Sequence, residues 1–294
     1  MPAIIQAVID GIMMGAMYGL TALGLTLVFG VMKVVNFAHG SILMVGMFSA
    51  YWLISLTGIH PYLALLVVPP LLFFFGYFLQ DVVIKPVFKA EQQVREPVTV
   101  IIVTTGVWYM LDNLALMCFG AEYRTVHTVI SGTSFSLGEL IVPIPKFFGF
   151  VIAAATAVGL MLFMKKTRTG KALMATSLDR DAANLMGINQ YRIYNLAFGI
   201  GTAIAGIAGC VIIPFYYVYP SVGVVFDIRA FIIVVLGGLG SIPGAMLGGV
   251  VVGLIESVFA QFMASTWTEA IIYAIFLGIL FVKPSGFFGH KQDW

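Results

Sequence analysis

The sequence predicts an all-α, polytopic membrane protein of eight or nine spans that includes discontinuous helices. Two observations predict it. Of 294 residues, 61% are hydrophobic and only 10% are charged; an ordinary soluble domain carries about 25% charge, so polar groups here are too few to cover a water-facing surface. Long stretches also lack any acidic or basic residue: 11–32, 34–80, 147–164, 193–226 and 230–255. A span needs about 20 apolar residues to cross about 30 Å of hydrocarbon, so 34–80 is long enough for two. Helices are expected because an isolated strand cannot satisfy its backbone in lipid. The Leu, Ile and Phe runs also lack the alternation of a barrel.

The expected spans are 4–31, 40–57, 61–84, 98–119, 148–164, 191–213, 226–237, 246–264 and 268–282. The segment 226–237 is short for a crossing and reads as a half-helix. Met1–Asp10 has no basic run and the first apolar stretch is long, so it is read as a retained span and not a cleaved signal. Cys118 and Cys210 fall inside spans and are expected to be buried thiols.

Sidedness follows Lys and Arg near the span ends. The loop 165–192 carries Lys165, Lys166, Arg168, Lys171, Arg180 and Arg192 against Asp179 and Asp181, whereas 120–147 balances Arg124 and Lys146 with Glu122 and Glu139. The first is therefore assigned to the cytoplasm and the second to the outside. Lys33, Lys85, Lys89, Arg95, Lys283 and Lys291 then fall inside, and the N-terminus outside. The outer loop, with its Thr125–Ser136 run of Thr, Val and Ser, suits short strands or a small cap. It is too small for a binding domain, so high-affinity capture is expected on a separate protein. Small residues recur every four positions at Gly11/Gly15/Gly19, Gly201/Ala205/Gly209 and Gly240/Gly244/Gly248. Such stripes let helices approach closely, within one bundle or at a subunit interface.

Two segments interrupt the apolar background. Gly30–Ser41 contains Lys33, Asn36, Phe37, His39 and Ser41; Gly237–Ala245 contains Gly237, Gly238, Gly240, Ser241, Pro243 and Gly244. Transporters unwind helices of this kind beside their path, though both could equally be cytoplasmic turns. His39 has no Cys or carboxylate at ligand spacing, so no metal site is expected. Asp10, Asp112, Glu256 and Glu269 lie in or at the ends of spans without evident basic partners. Structural hydrogen bonding is the first expectation for them, with a proton relay as the alternative. Asn36, Phe37, His39, Ser41, Gly237, Gly238, Gly240, Ser241, Pro243 and Glu256 are the candidate translocation-path residues.

The loop 167–189 is the most informative. Ser177 could cap a helix whose first turn holds Asp179 and Asp181, where the dipole favours anions. Ala182, Ala183, Leu185 and Met186 would share one side, and Gly187 suits the position after the helix. The expectation is a helix of about nine residues within 175–188 whose apolar side no span covers. The loop lacks Trp, Tyr and Phe, the usual interfacial anchors, so docking on a partner is favoured over lying in the membrane surface. No phosphate-binding motor motif occurs: Gly170-Lys171 is followed by Ala172, and Lys166 stands where its first Gly would be. Gly-x-Ser-x-Gly and His-Glu-x-x-His are also missing.

Four blocks carry a resemblance: Tyr18–Gly30 running into Val35-Asn-Phe-Ala-His-Gly40; Gly170-Lys-Ala through Asp181-x-Ala and Leu185-Met-Gly-Ile-Asn189; Val235–Ala245 followed by Gly248, Gly249 and Glu256; and Lys283-Pro-Ser-Gly-Phe-Phe-Gly289. Together they resemble the branched-chain amino acid permeases of ABC importers, of the LivH type. The resemblance implies a multi-pass subunit of a bacterial inner membrane that is not itself an enzyme and carries no cofactor. ATP and Mg would sit on two separate ATPase subunits. The expected partners are a second, LivM-like permease and a periplasmic binding protein. It implies that Gly170, Lys171, Ala172, Asp179, Arg180, Asp181, Ala183, Leu185, Met186, Gly187 and Ile188 form the ATPase-coupling loop. The sequence departs from many members at Ser41, where Glu is common, and at Lys171-Ala172, where Arg-Ala is usual. The solute is expected to be a branched-chain or related amino acid, with urea, amides or aromatic acids as alternatives. Rivals of another class are an ion-coupled transporter and a passive channel.

Overall fold

Residues 2–32 are rich in Leu, Met and Ala with no internal proline, and they form one uninterrupted helix, α1 (Pro2–Met32). At 1.5 Å per residue it is about 46 Å long, and most of the bundle is built on it. In this computed structural model, residues 2–90, 98–126, 132–137, 140–283 and 286–288 are described. The helices that follow are α2 (His39–Thr57), α3 (Val68–Leu79), α4 (Lys85–Ala90), α5 (Thr99–Phe119), α6 (Ile144–Lys166), α7 (Arg168–Leu178), α8 (Arg180–Leu185), α9 (Gln190–Ile212), α10 (Val222–Gly237), α11 (Ile242–Phe259) and α12 (Ser265–Val282). A 3-10 segment, Pro61–Leu66, precedes α3, and a π turn, Gln80–Ile84, joins α3 to α4. Among the described residues, eight helical stretches are long and apolar enough to cross a membrane, with Pro61–Ala90 counted as one. The sixteen-residue α10 is the ninth, short one.

Glycine decides where helices touch. α11 runs antiparallel to α1, with Gly11, Gly15 and Gly19 against Gly253, Gly249 and Met246; a methyl group on Gly15 would lie 2.6 Å from Val250 Cα. On the other side Gly24 meets Gly201 of α9, and α2 crosses α9 where Gly46 faces Gly206 and Gly209 faces Met47. α3 is fastened to α9 by Thr202, whose hydroxyl donates to the Leu72 carbonyl at 2.8 Å and whose side chain fills the space over Gly76. The predicted stripes therefore pack within this chain. α5 and α12 are peripheral, with few of their residues buried in the bundle.

Chain ends and loops sort to two ends of the bundle. Gln6 bonds Ile141, and Asp10 pairs with Lys146 at 3.1 Å, so the N-terminus sits with the 120–147 loop. That loop holds an antiparallel pair, β1 (Ser134–Leu137) and β2 (Leu140–Pro143), with Ser134 opposite Pro143. Of the run expected to form short strands, His127–Ser131 lie outside the described residues, as do Glu139 of the charge count and Arg95, Pro284, Ser285, Gly289 and Lys291. At the opposite end Gly30 touches Gly240, and the Phe287 and Phe288 amides donate to the carbonyls of Leu236 and Gly237. α6 carries the chain from the first end to the second, where α7 and α8 follow.

Two expectations about side chains are corrected. Cys118 is exposed on the peripheral α5, whereas Cys210 is buried. In the 167–189 loop Ser177 does not cap a helix: it lies inside α7 and bonds the Met174 carbonyl. Asp179 is the cap, its carboxylate accepting from the amides of Asp181 and Ala182 at 2.9 and 3.0 Å. Because α7 extends to Leu178, the helix that Asp179 starts has only six residues.

Candidate functional site

α2 does not begin where α1 ends. Lys33, at a positive φ of 57°, reverses the chain after Met32, and residues 33–38 run back along the bundle. His39, the first residue of α2, then donates through Nε2 to the Thr21 carbonyl at 2.9 Å. Thr21 lies eleven residues before the end of α1, which places the start of α2 about 16 Å inside the bundle. α10 is also re-entrant, from the other end. α9 runs eleven residues past Gly201, its contact with Gly24, and the connector 213–221 returns to Val222. Gly223 there abuts Gly40 so closely that a methyl group on either would collide with the other's backbone. Two helix N-termini thus meet in the interior, where free amides can be reached by polar groups.

A carboxylate of α10 itself and one of α5 hold that junction. Asp227 of α10 accepts from the Gly40 amide at 3.1 Å, and Asp112 of α5 accepts from the Ser41 hydroxyl at 2.6 Å and from Trp108 Nε1 at 2.8 Å. Asn36 is buried and accepts from the Ala38 amide at 3.0 Å, shaping the turn into α2. Asn36, His39 and Ser41 are each at most 3% exposed, while Phe37 is 37% exposed. Asn36 Nδ2 and His39 Nδ1 have no partner among the described residues. Asp112 also borders a cavity of about 320 Å³ with Asn113, Tyr123, Tyr219 and Ser221. Burial holds the Tyr219 hydroxyl above the usual phenol range, so the ring stays neutral.

The first predicted path stretch therefore turns back inside the bundle and is not a simple turn at its end. The second is not at the same place. Gly237, Gly238, Gly240, Ser241 and Pro243 form the turn between α10 and α11, ten residues and about 15 Å along α10 from Asp227. Gly238 and Gly240 take positive φ, Ser241 caps α11 through the Gly244 amide, and Pro243 stands in its first turn, where no donor is lost. Gly30, at the front of the first stretch, touches Gly240 of the second.

The carboxylates expected to lack basic partners mostly have them. Asp10 pairs with Lys146, and Arg229 lies 3.0 Å from Glu256 and 3.7 Å from Glu269 while donating to the Tyr18 hydroxyl at 3.0 Å. Glu256 thus belongs to an ion cluster joining α1, α10, α11 and α12. Asp227 and Arg229 escaped the sequence reading, although the signal was present: they are the charges that separate the uncharged stretches 193–226 and 230–255.

In the loop at the second end, Thr167 caps α7 through the Gly170 amide at 2.9 Å. Gly170 lets α7 fold onto α6, for a methyl group there would lie 2.6 Å from Met164 Cα. Leu173 is fully buried beneath. Lys171 and Ala172 lie on α7, Asp179–Leu185 make up α8 and its cap, and Gly187 turns the chain at φ 82° toward Ile188. The expected single apolar side is split: Ala183 packs inward, while Leu178, Leu185 and Met186 are exposed at 83%, 89% and 83%.

Comparison with known proteins agrees with this architecture. The chain is 29% identical to the high-affinity branched-chain amino acid transport system permease protein BraD of Pseudomonas aeruginosa, over 98% of this chain and 96% of that one. It is 27% identical to LivH of Salmonella typhimurium over the same shares, and 30% identical to a probable LivH of Methanocaldococcus jannaschii over 94% and 89%. No solved structure matches it. The family model described as the permease component of branched-chain amino acid transport systems matches residues 7–280, and the chain belongs to that family.

Proposed function

We propose that this chain is one of two unlike permease subunits of an ATP-driven importer in a bacterial inner membrane, taking solute from a periplasmic binding protein. Two ATPase subunits bearing ATP and Mg would complete it, with the end carrying α7 and α8 in the cytoplasm. The solute is a branched-chain or related amino acid. One observation carries the reading. A permease without a motor motif presents three large apolar side chains, Leu178, Leu185 and Met186, on a short capped helical loop that is rigidly seated by Leu173 and Gly170. Exposed apolar groups rimmed by charge suit a protein cleft. ATP-driven closure there would move α7 and α8 against α6 and α9. Solute would pass along the face where α2, α5 and α10 meet, by alternating access around the re-entrant starts of α2 and α10.

The test is to co-express this chain with its prospective partners, purify it in mild detergent, and compare the original with Leu185→Asp. A charge on an exposed side chain costs the fold little, so the variant should express normally, lose the ATPase on purification and abolish uptake. Uptake that survives Leu185→Asp would overturn the docking assignment. Uptake that follows an ion gradient without any ATPase would favour a secondary transporter, and gradient-free equilibration a channel.

A further inference from the structure

The membrane-embedded carboxylates of this chain divide into two kinds. Asp10 has Lys146, Asp81 has Lys85, and Glu256 and Glu269 share Arg229, each within 4.0 Å. Neither Asp227 nor Asp112 has a Lys, Arg or His nitrogen within that distance among the described residues: Asp227 is engaged by the Gly40 amide, and Asp112 receives only the neutral donors Ser41 Oγ and Trp108 Nε1. Each bond takes one acceptor position on a different oxygen. A carboxylate offers about four such positions, so about two stay open. An ionised group at membrane depth without a partner is costly and marks a wet or ligand-bearing space.

That space is present. The cavity of about 320 Å³ beside Asp112 would hold roughly ten waters and falls within the size range of small-molecule sites. Its lining includes the rings of Tyr123 and Tyr219, whose centroids are 4.6 Å apart and tilted by 49°. A carboxylate beside two tyrosine rings suits an ammonium group, which the carboxylate can pair with and a ring face can attract. Asn113 and Ser221 line the same cavity and can donate hydrogen bonds to a carboxylate at the far end of a zwitterion. The carboxylate is held in place from both sides: Ser41 comes from the start of α2, and Trp108 lies one turn earlier on α5.

We propose that Asp112, with the rings of Tyr123 and Tyr219, recognises the ammonium group of the solute in a cavity of this permease. The proposal rests on the importer reading above and narrows it. Uncharged solutes such as urea or simple amides gain no charge pairing there, and an organic acid without an amine is repelled. Ser41 and Trp108 act as positioning residues, fixing the angle at which the carboxylate meets the cavity.

The test uses the complete importer, with both permeases and both ATPases, in lipid nanodiscs. Binding of radiolabelled L-leucine is measured against unlabelled L-leucinamide, which keeps the ammonium group, and 4-methylpentanoate, which lacks it. Leucinamide should compete and 4-methylpentanoate should not. Asp112→Asn, which preserves the bond from Ser41, should weaken leucine binding at least tenfold, and Asp112→Glu should stay within about threefold of the original. Unchanged leucine binding in Asp112→Asn, equal competition by 4-methylpentanoate, or no leucine binding by the original complex would each overturn the proposal. If the Asn variant does not assemble, the competitor pair on the unmodified complex still decides. ATP hydrolysis stimulated by loaded binding protein is recorded on the same preparation. Stimulation that persists while the competition fails sinks the ammonium site alone, and stimulation that is missing sinks the importer reading beneath it.

Discussion

Arg229 ties three other helices to α10, and its removal gives a quantitative test of the helix packing. Its guanidinium donates to Tyr18 of α1 and lies 3.0 Å from Glu256 of α11 and 3.7 Å from Glu269 of α12, with its centre 5.0 Å from the Tyr18 ring. Arg229→Met keeps the length and apolar stem but leaves Glu256 without a cation. Breaking a buried pair from one side costs about 3–5 kcal/mol. The side chains of Arg229 and Glu256 are 17% and 27% exposed and that of Glu269 is 50% exposed, so the low end, about 3 kcal/mol, applies. For a chain of this size, at about 2–3 °C per kcal/mol, the midpoint should fall by about 6–9 °C. The assay is thermal unfolding in detergent, followed by fluorescence-detected size exclusion. Removing both charges relieves the uncompensated carboxylate, so the double variant Arg229→Met, Glu256→Met should melt above the single one. A single variant within 1 °C of the original, or a double variant that melts lower still, would refute the argument that this cluster ties the helices together.

Three further outcomes follow from the same geometry. Gly249→Ala should cut the folded yield sharply and lower the midpoint by several degrees, because the added methyl group meets the Gly19 amide and Cα on α1; Gly278→Ala, which meets open space on α12, should be neutral, and equal effects would contradict the α1–α11 packing. Asp179→Ala should leave global stability within about 1 kcal/mol but raise hydrogen exchange across 180–186 in mass spectrometry, since the cap of a six-residue helix is lost; unchanged exchange would mean that the cap does not hold α8. Gly40→Val should block the meeting of α2 with α10 at Gly223 and yield misfolded protein, whereas Gly58→Ala at an uncrowded helix end should cost only the strain of its positive φ, about 1 kcal/mol, with both read by the same melting assay.

Much of the fold was legible because lipid simplifies the code. A span must be long, apolar and helical, so the expected spans mark α1, α2, α5, α6, α9, α11 and α12 to within about five residues. The glycine stripes were legible as close approaches, but their partners were not: that Gly15 meets Gly249, and not another chain, depends on how α1 and α11 run in three dimensions. The cap of α8 was misread for a local reason. Ser177 and Asp179 both suit a helix start, and only the extension of α7 through Ser177 leaves Asp179 as the cap.

The site was half legible for a deeper reason. Asn36, His39 and Ser41 stand out because polar residues on an apolar background are expensive, but the sequence alone leaves a cytoplasmic turn and an intramembrane break equally open. The difference is made at Lys33, whose positive φ sends the chain back along α1, and by the Gly40–Gly223 contact that lets α10 arrive from the other side. Neither can be seen from one segment. The two N-termini then bring together residues far apart in the chain, Gly40 with Asp227 across 187 positions and Ser41 with Asp112 across 71. Asp227 and Arg229 look like one small charged interruption in sequence, yet the helix turns them to different tasks: Asp227 seats α2, while Arg229 gathers α1, α11 and α12. A movement of α10 would therefore act on the junction and on α1, α11 and α12 together. In the proposed importer that linkage would let α10, too short to be a complete span, carry motion at one end of the bundle toward the cavity beside Asp112.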